Sequence, residues 1–373
     1  MKNKEIFLKR IEALRKSFLD DHKNLLVFNE KNIYYLTGFY GKDSSSNLLV
    51  TDEKVYLFVN FIYHEAASES VNHADTELIM DNRKNEALFG ILKKEKIKEI
   101  TLESGSITHA DFLNIEKKLS EINIAIKTID YPLKDMREIK DDTEIKIMRE
   151  NCRLTEECID FVKSINPGKL KEMTEAELAF RMEGFLIKKG TSSKSFDFII
   201  ANNKNSSKPH HVSGRHKIKN GIILMDFGAI LQNYCSDITR TFLIEEIADS
   251  KNKKRFLEIY QIVKEAQLSA LSACREGIAA SELDKIARDF IAGQGYDANF
   301  DHSLGHGVGL SVHEPPFINR ENNQILKESM VVTIEPGIYI PGFGGVRIED
   351  MVIVKKNKCE RLYGDSKELV IIS

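Results

Sequence analysis

The sequence predicts an α+β protein in two parts. A smaller α/β domain would occupy residues 1–132, and a larger domain over 133–373 would mix long helices with a largely antiparallel sheet. Three observations predict this. Short apolar runs alternate with helical stretches through the first 130 residues. A charge-dense segment holding Pro132, YPLKDMREIKDDTEIKIMRE at 131–150, interrupts that pattern. Beyond it, long helical periodicities are interspersed with strand-like runs.

In chain order, residues 6–18 place Ile6, Ile11, Leu14 and Phe18 on one side of a helix. The runs 25–28, 33–36, 47–50 and 55–59 suit strands by length and β-branched content. Helical stretches then alternate with apolar runs near 88–92, 97–102 and 112–119. Past the boundary, Ile145 and Met148 open a long helix, and further helices are expected at 174–188, 253–273 and 281–292. Strands are expected at 198–201, 222–228, 239–244, 330–334, 337–340, 346–354 and 369–372.

With 373 residues, 42% hydrophobic and 30% charged, the chain has enough apolar material for a sizeable core. A net charge of −3 gives no bulk electrostatic reason for a nucleic-acid or membrane partner. The five cysteines (Cys152, Cys158, Cys235, Cys274 and Cys359) are odd in number and irregularly spaced. That argues against a secreted disulfide framework and for a reducing compartment. The charged N-terminus lacks a signal-peptide core, and no apolar run is long enough to span a bilayer. A cytoplasmic location is expected.

Chemistry concentrates in three stretches. In IILMDFGAILQNYCSDITRTFLI, Asp226 ends an apolar run and Asp237 opens the next strand. A two-residue turn at Leu231 and Gln232 would set the two aspartates opposite each other, with Cα atoms roughly 4.5–5.5 Å apart. Two buried carboxylates at that distance repel unless a cation lies between them. A turn residue and a strand cap account for this stretch equally well. In FDHSLGHGVGLSVHEPP, His302, His306 and His313 are interleaved with glycines. Imidazole is a good ligand for zinc, manganese, cobalt and iron. In MVVTIEPGIYIPGFGGVRIEDMVIV, Glu335 ends an apolar strand. Arg347 and Glu349 then share one face of a strand whose other face carries Val346 and Ile348. An exposed edge strand with an Arg–Glu pair is an alternative reading of that last segment. Four such carboxylates with one imidazole match the demand of a dinuclear centre.

The motifs DFG-x8-SDITRTF, HSLGHGVGLSVHE, TIEPGIYIPG and GGVRIED, in that order, resemble the metal-site segments of the pita-bread metallopeptidases. The nearest likeness is to the Xaa-Pro aminopeptidase and prolidase (Xaa-Pro dipeptidase) branch. It extends more weakly into the first domain through NIYYLTGFYG at 32–41. The resemblance implies a pita-bread (creatinase/aminopeptidase-like) C-terminal domain behind a creatinase-type N-terminal domain, in a homodimer. It implies Asp226, Asp237, His306, Glu335 and Glu349 as ligands of two divalent ions, manganese first, with cobalt, zinc or iron also suited. His210, in SKPHH, would face the substrate carbonyl, with His211 its less favoured neighbour, and His313 would be a second histidine on that side. His302 would line a proline pocket, Arg347 would orient the peptide, and Thr239 would sit beside Asp237. Glu335 would also relay a proton. The implied activity is hydrolysis of the Xaa-Pro bond in dipeptides or at the N-terminus of peptides, by a water activated between the ions.

The chain departs from the family pattern at two places. Asn60-Phe61-Ile62-Tyr63 stands where an Asp-x-Arg-Tyr run is common, and Asn203 stands where glycine is usual. Methionine aminopeptidases share the five-ligand set but usually lack a first domain of this size. Creatinase-type members act without metal and lack the full set, as do the silent binding modules built on the same fold.

Overall fold

A computed structural model describes residues 2–19, 24–71, 75–82, 85–364 and 366–373. The chain folds as two compact units, Met1–Met136 and Arg137–Ser373. The α+β class is the one found.

The first unit is built on a six-stranded mixed sheet. In spatial order its strands are Thr76–Met80, Val55–Val59, Asn47–Thr51, Asn24–Val27, Glu99–Glu103 and Ala125–Ile129. Asn47–Thr51 pairs antiparallel with both neighbours, and the remaining pairings are parallel. Val55–Val59, next to the edge strand, is buried at every position, as a strand covered on both faces must be. Phe61–Ser70, where the family motif is replaced, is a helix capped by the Asn60 side chain.

The strand expected at 33–36 is instead part of a helix, Glu30–Thr37. The Asn29 side chain accepts hydrogen bonds from the amides of Lys31 and Asn32, and Gly38 ends the helix at φ 79°. A short apolar run does not distinguish strand from helix, and here the caps decide.

The long helices of the second unit are Asp142–Lys163, Glu175–Lys188, Ser250–Ala273 and Ala280–Gly293. Asp141 with Glu144, and Thr174 with Glu177, form capping boxes at the first two. Four strands, Ile371–Ile372, Ile238–Ile244, Gly221–Phe227 and Ile199–Asn202, make one sheet. A second sheet runs Glu314–Ile318, Gly305–Gly307, Val331–Ile334, Asp350–Val354 and Cys359–Arg361, antiparallel throughout. The run expected as one strand over 346–354 is broken. Gly344–Arg347 pairs with Gly337–Ile340, Asp350–Val354 joins the second sheet, and Ile348 and Glu349 lie between. The strands Gly305–Gly307 and Glu314–Ile318 were not expected, because glycine and proline mask the strand pattern there.

The apolar core of this unit gathers Phe256, Val263 and Ala270 of one helix, Leu283, Ala287 and Ile291 of the next, Val332 and Val352 of the second sheet, and Met330 just before it. Asp284 and Arg288 cross this packing as a buried pair, with Nε and Nη2 each 2.7 Å from the carboxylate. Asp284 also accepts the Leu304 amide at 3.1 Å, and Arg288 donates to the carbonyls of Phe300 and His302. The pair fastens the helix to the loop that carries the histidines. Asp284→Ala leaves a buried guanidinium unpaired and is expected to cost about 3–5 kcal/mol in urea unfolding. A loss below about 1 kcal/mol, the range of an exposed pair, would show that the clamp is not structural.

Candidate metal centre

Strand ends and strand edges bring the five candidate ligands together. Asp226 lies inside Gly221–Phe227, and Asp237 immediately precedes Ile238–Ile244. Glu335 follows Val331–Ile334, Glu349 precedes Asp350–Val354, and His306 is the middle residue of Gly305–Gly307. The Glu349 amide donates to the Thr239 carbonyl at 3.1 Å, which joins the two sheets at the site. Both glycines beside His306 are forced by close approach. A Cβ at Gly305 would collide with the Thr333 carbonyl oxygen, and one at Gly307 with those of Glu314 and Pro315.

The expected hairpin register is corrected. The turn is Gln232 and Asn233, both at positive φ, and Leu231 pairs with Tyr234. Asp226 therefore opposes Thr239 rather than Asp237. The two aspartates still converge, because Asp237 lies two residues before Thr239 and so keeps the same facing. Within each of three groups, ligand atoms lie within 4.8 Å of one another: Asp226, Asp237 and Glu349; His306, Glu335 and Glu349; and Asp237, His306 and His313. The edge-strand alternative is excluded, since Arg347 and Glu349 are buried.

A second layer holds these groups. The Thr239 hydroxyl donates to Glu349 at 2.6 Å and accepts Nε of Arg347 at 3.0 Å. Arg347 also donates to Asp226 at 2.5 Å and to the Tyr339 hydroxyl at 2.8 Å. The Thr333 hydroxyl accepts the His306 amide and donates to Glu335 at 3.1 Å. Nδ1 of His306 lies 3.1 Å from the Gly307 carbonyl, which accepts only, so Nδ1 carries the proton. Nε2 is left facing the acids, 3.6 Å from Asp237 and 3.2 Å from Glu335: protonated, it donates to Glu335, and deprotonated, it offers its lone pair to a cation.

Electrostatics test whether the residues fit cations. Burial holds Asp237 and Glu349 well above the ordinary carboxylate range, and neighbouring carboxylates push the same way. Burial also raises Asp226, partly offset by Arg347. Burial works on Glu335 in the same direction, but its hydrogen bond to His306 wins and holds it low. Asp226 Oδ1 and Glu349 Oε1 are buried without any hydrogen-bond partner. Orphaned carboxylate oxygens beside an imidazole nitrogen turned onto the acids are what divalent cations satisfy, so the donor set fits.

The cluster floors a cavity of about 830 Å³, within the range of ligand sites. His210, His302 and His313 line it, and His211 does so while turned onto Glu175. His302 is partly buried, with Nε2 3.0 Å from the Tyr339 hydroxyl, and burial lowers its pKa. His313 stacks edge-on against His306 at 4.3 Å between ring centroids. Arg347 reaches the cavity wall while bonded to Thr239, Tyr339 and Asp226. Sequence reasoning missed Tyr339, Thr333 and the apolar wall of Phe180, Phe196, Phe198 and Val212. None of these stood out locally: the Tyr339 hydroxyl matters because Arg347 reaches it, and Thr333 because the His306 amide does.

The two-unit fold and the buried acidic cluster define a pita-bread metallopeptidase. Residues 146–356 match the pattern of metallopeptidase family M24, and residues 10–139 match the Creatinase/Prolidase N-terminal domain. The chain belongs to metallopeptidase family M24. An Xaa-Pro dipeptidase of Pyrococcus horikoshii is 38% identical over 364 residues, covering 97% of each chain. Among solved structures, an Xaa-Pro dipeptidase from Bacillus anthracis superposes with a TM-score of 0.89 at 33% identity, covering 98% of this chain and 99% of that one. An X-Pro aminopeptidase from Thermotoga maritima gives 0.85 at 32% identity, covering 97% and 100%. Among the described residues, no helix is long and apolar enough to cross a membrane.

Proposed function

We propose that the chain is an Xaa-Pro exopeptidase that uses two divalent cations held by Asp226, Asp237, His306, Glu335 and Glu349. The observation that carries this reading is the convergence of those five groups, with two orphaned oxygens, on the floor of a peptide-sized cavity. When bound, the cations supply Lewis-acid polarisation of the scissile carbonyl and a water acidified toward neutrality. Manganese is the first choice for this oxygen-rich set, with cobalt, zinc and iron next.

The protein's own groups do the remaining work. Glu335, held ionised beside His306, takes a proton from the attacking water and returns it to the departing proline nitrogen. His210 and His313 donate to the carbonyl oxygen as it gains charge. The proline nitrogen has no N–H to offer, so the ring is recognised by packing. The aromatic wall with Phe180, Phe196 and Phe198 and the His302 ring serve that purpose. Arg347 orients the peptide from the cavity wall, where Thr239, Tyr339 and Asp226 hold its Nε, Nη1 and Nη2 in place. Dipeptides are the first expected substrates, because the Pyrococcus horikoshii and Bacillus anthracis relatives bear that name. Five cysteines, odd in number and irregularly spaced, suit a cytoplasmic protein, and a homodimer is expected.

The test is a parallel assay with added manganese on an Xaa-Pro dipeptide, its Xaa-Pro-Xaa tripeptide and the matching Xaa-Ala dipeptide. Hydrolysis of the proline substrates at least tenfold faster than of Xaa-Ala is expected, with two equivalents of metal in the purified protein. Equal rates on Xaa-Ala, or full activity in metal-free protein, would overturn the proposal.

A further inference from the structure

Glu175 is the first residue of the helix Glu175–Lys188, yet its carboxylate is fully buried. One oxygen accepts the Asn202 amide and the Asn205 side chain, each at 2.9 Å. The other lies 2.8 Å from Nε2 of His211, itself buried. Burial alone would raise the Glu175 pKa, but the bonds from Asn205, Asn202 and His211 outweigh it and hold the group low. An ionised carboxylate only accepts, so Nε2 of His211 carries the proton and donates it.

The same loop is fastened further along. Ser213 Oγ accepts the Ile200 amide at 2.7 Å and donates to the Phe198 carbonyl at 2.8 Å. The amides of Glu175 and Ala176 donate to the carbonyls of His216 and Gly214. His210 lies between the fastened positions 205 and 211. Its ring is exposed on the cavity wall and takes no part in these bonds. Its location is therefore inherited from the backbone on either side.

We infer that the buried Glu175–His211 pair is a positioning clamp that sets His210 against the substrate carbonyl. The inference rests on the role proposed above for His210. Neither Glu175 nor His211 touches the substrate; both act through the loop. A shift of about 1 Å in a positioned group is worth about 10²-fold in rate, so a small loosening is measurable.

His211→Leu removes the donor and keeps apolar bulk in the buried slot, while His211→Gln restores a donor. H211L is expected to lower kcat by about ten- to a hundredfold with KM and metal content little changed. H211Q is expected to recover most of that loss. Added to His210→Ala, H211L is expected to cost nothing further, since the residue it positions is gone. In the metal-free protein, the 15N-imidazole signal of His210, assigned by its loss in H210A, is expected to shift and broaden in H211L but not in H211Q. Asn205→Ala frees the same carboxylate without touching a histidine, and is expected to give a smaller loss of the same kind should H211L not fold. Wild-type kcat in H211L and N205A, or an equal loss in the H210A background, would overturn the clamp. Wild-type kcat in H210A alone would overturn instead the role given to His210, while the metal-free signal still reads the clamp.

Discussion

Replacing Glu335 with alanine is expected to lower hydrolysis of an Xaa-Pro dipeptide by about 10²- to 10⁴-fold, the range for a positioned general acid–base group. Metal content should fall with it, because Glu335 also faces Nε2 of His306, the nitrogen proposed to bind metal, at 3.2 Å. The loss should lie in kcat rather than KM, since the proton transfer belongs to the transition state and not to peptide binding. The protein should still fold, because losing the carboxylate gives up its bond to His306 but relieves the repulsion that Asp237 and Glu349 feel from it. Near-wild-type turnover by E335A, with metal content measured on the same sample, would remove Glu335 from the mechanism.

Removing metal should reverse the ordinary pH dependence of a carboxylate-rich site. Asp226, Asp237 and Glu349 have folded pKa values raised first by burial and further by neighbouring carboxylates, Glu335 among them. For such groups the stabilising contribution is complete below the unfolded carboxylate value of roughly 4 and is lost as pH rises through the folded values. Each group removes up to about 1.4 kcal/mol for every pH unit between those values. The low carboxylates Glu175, Glu314, Glu335 and Asp350 act in the opposite sense, but their contribution is lost only on acidification and is complete by about pH 5; His302 and His313, lowered by burial, oppose the three acids above that pH, while His306, raised, acts with them. Chelated protein should therefore have a lower urea midpoint at pH 8 than at pH 5, and manganese should shrink or invert that difference. Asp237→Asn should flatten the dependence in chelated protein, because it removes a repelling charge. A chelated wild type as stable at pH 8 as at pH 5, with an unchanged slope in D237N, would show that these acids are not held under mutual repulsion.

Much of the fold was legible because periodicity is a local signal. The helices around Met148, Leu178, Val263 and Leu283 could be read from apolar spacing alone, and so could the strands through Leu224 and Phe242. The failures share a cause. The run around Ile33 looks like a strand because isoleucine and tyrosines dominate it, and only Asn29 and Gly38 reveal a helix. The strand holding His306 was hidden because its flanking glycines are required by neighbouring backbone, not by a local turn. The site was legible as residue types: acids ending apolar runs are costly without a partner, and that cost shows in the sequence. Tyr339, Glu175 and the aromatic wall were not legible. Their significance comes from groups far along the chain that only the fold brings within reach, such as Arg347 for Tyr339 and His211 for Glu175.

The hairpin turn at Gln232 and Asn233 limits how this segment can change in length. Moving the turn along the chain by one position alters each cross-strand partner by two, which leaves Asp226 and Asp237 on one side of the ribbon. Adding or deleting a single residue at the tip alters the partner by one instead. That would send one aspartate to the opposite side, away from Glu349. Natural variation at this tip should therefore come as substitutions or paired insertions, whereas a solitary insertion must be absorbed by a compensating bulge, since the pairing keeps one register from Leu231 and Tyr234 to Gly221 and Ile244.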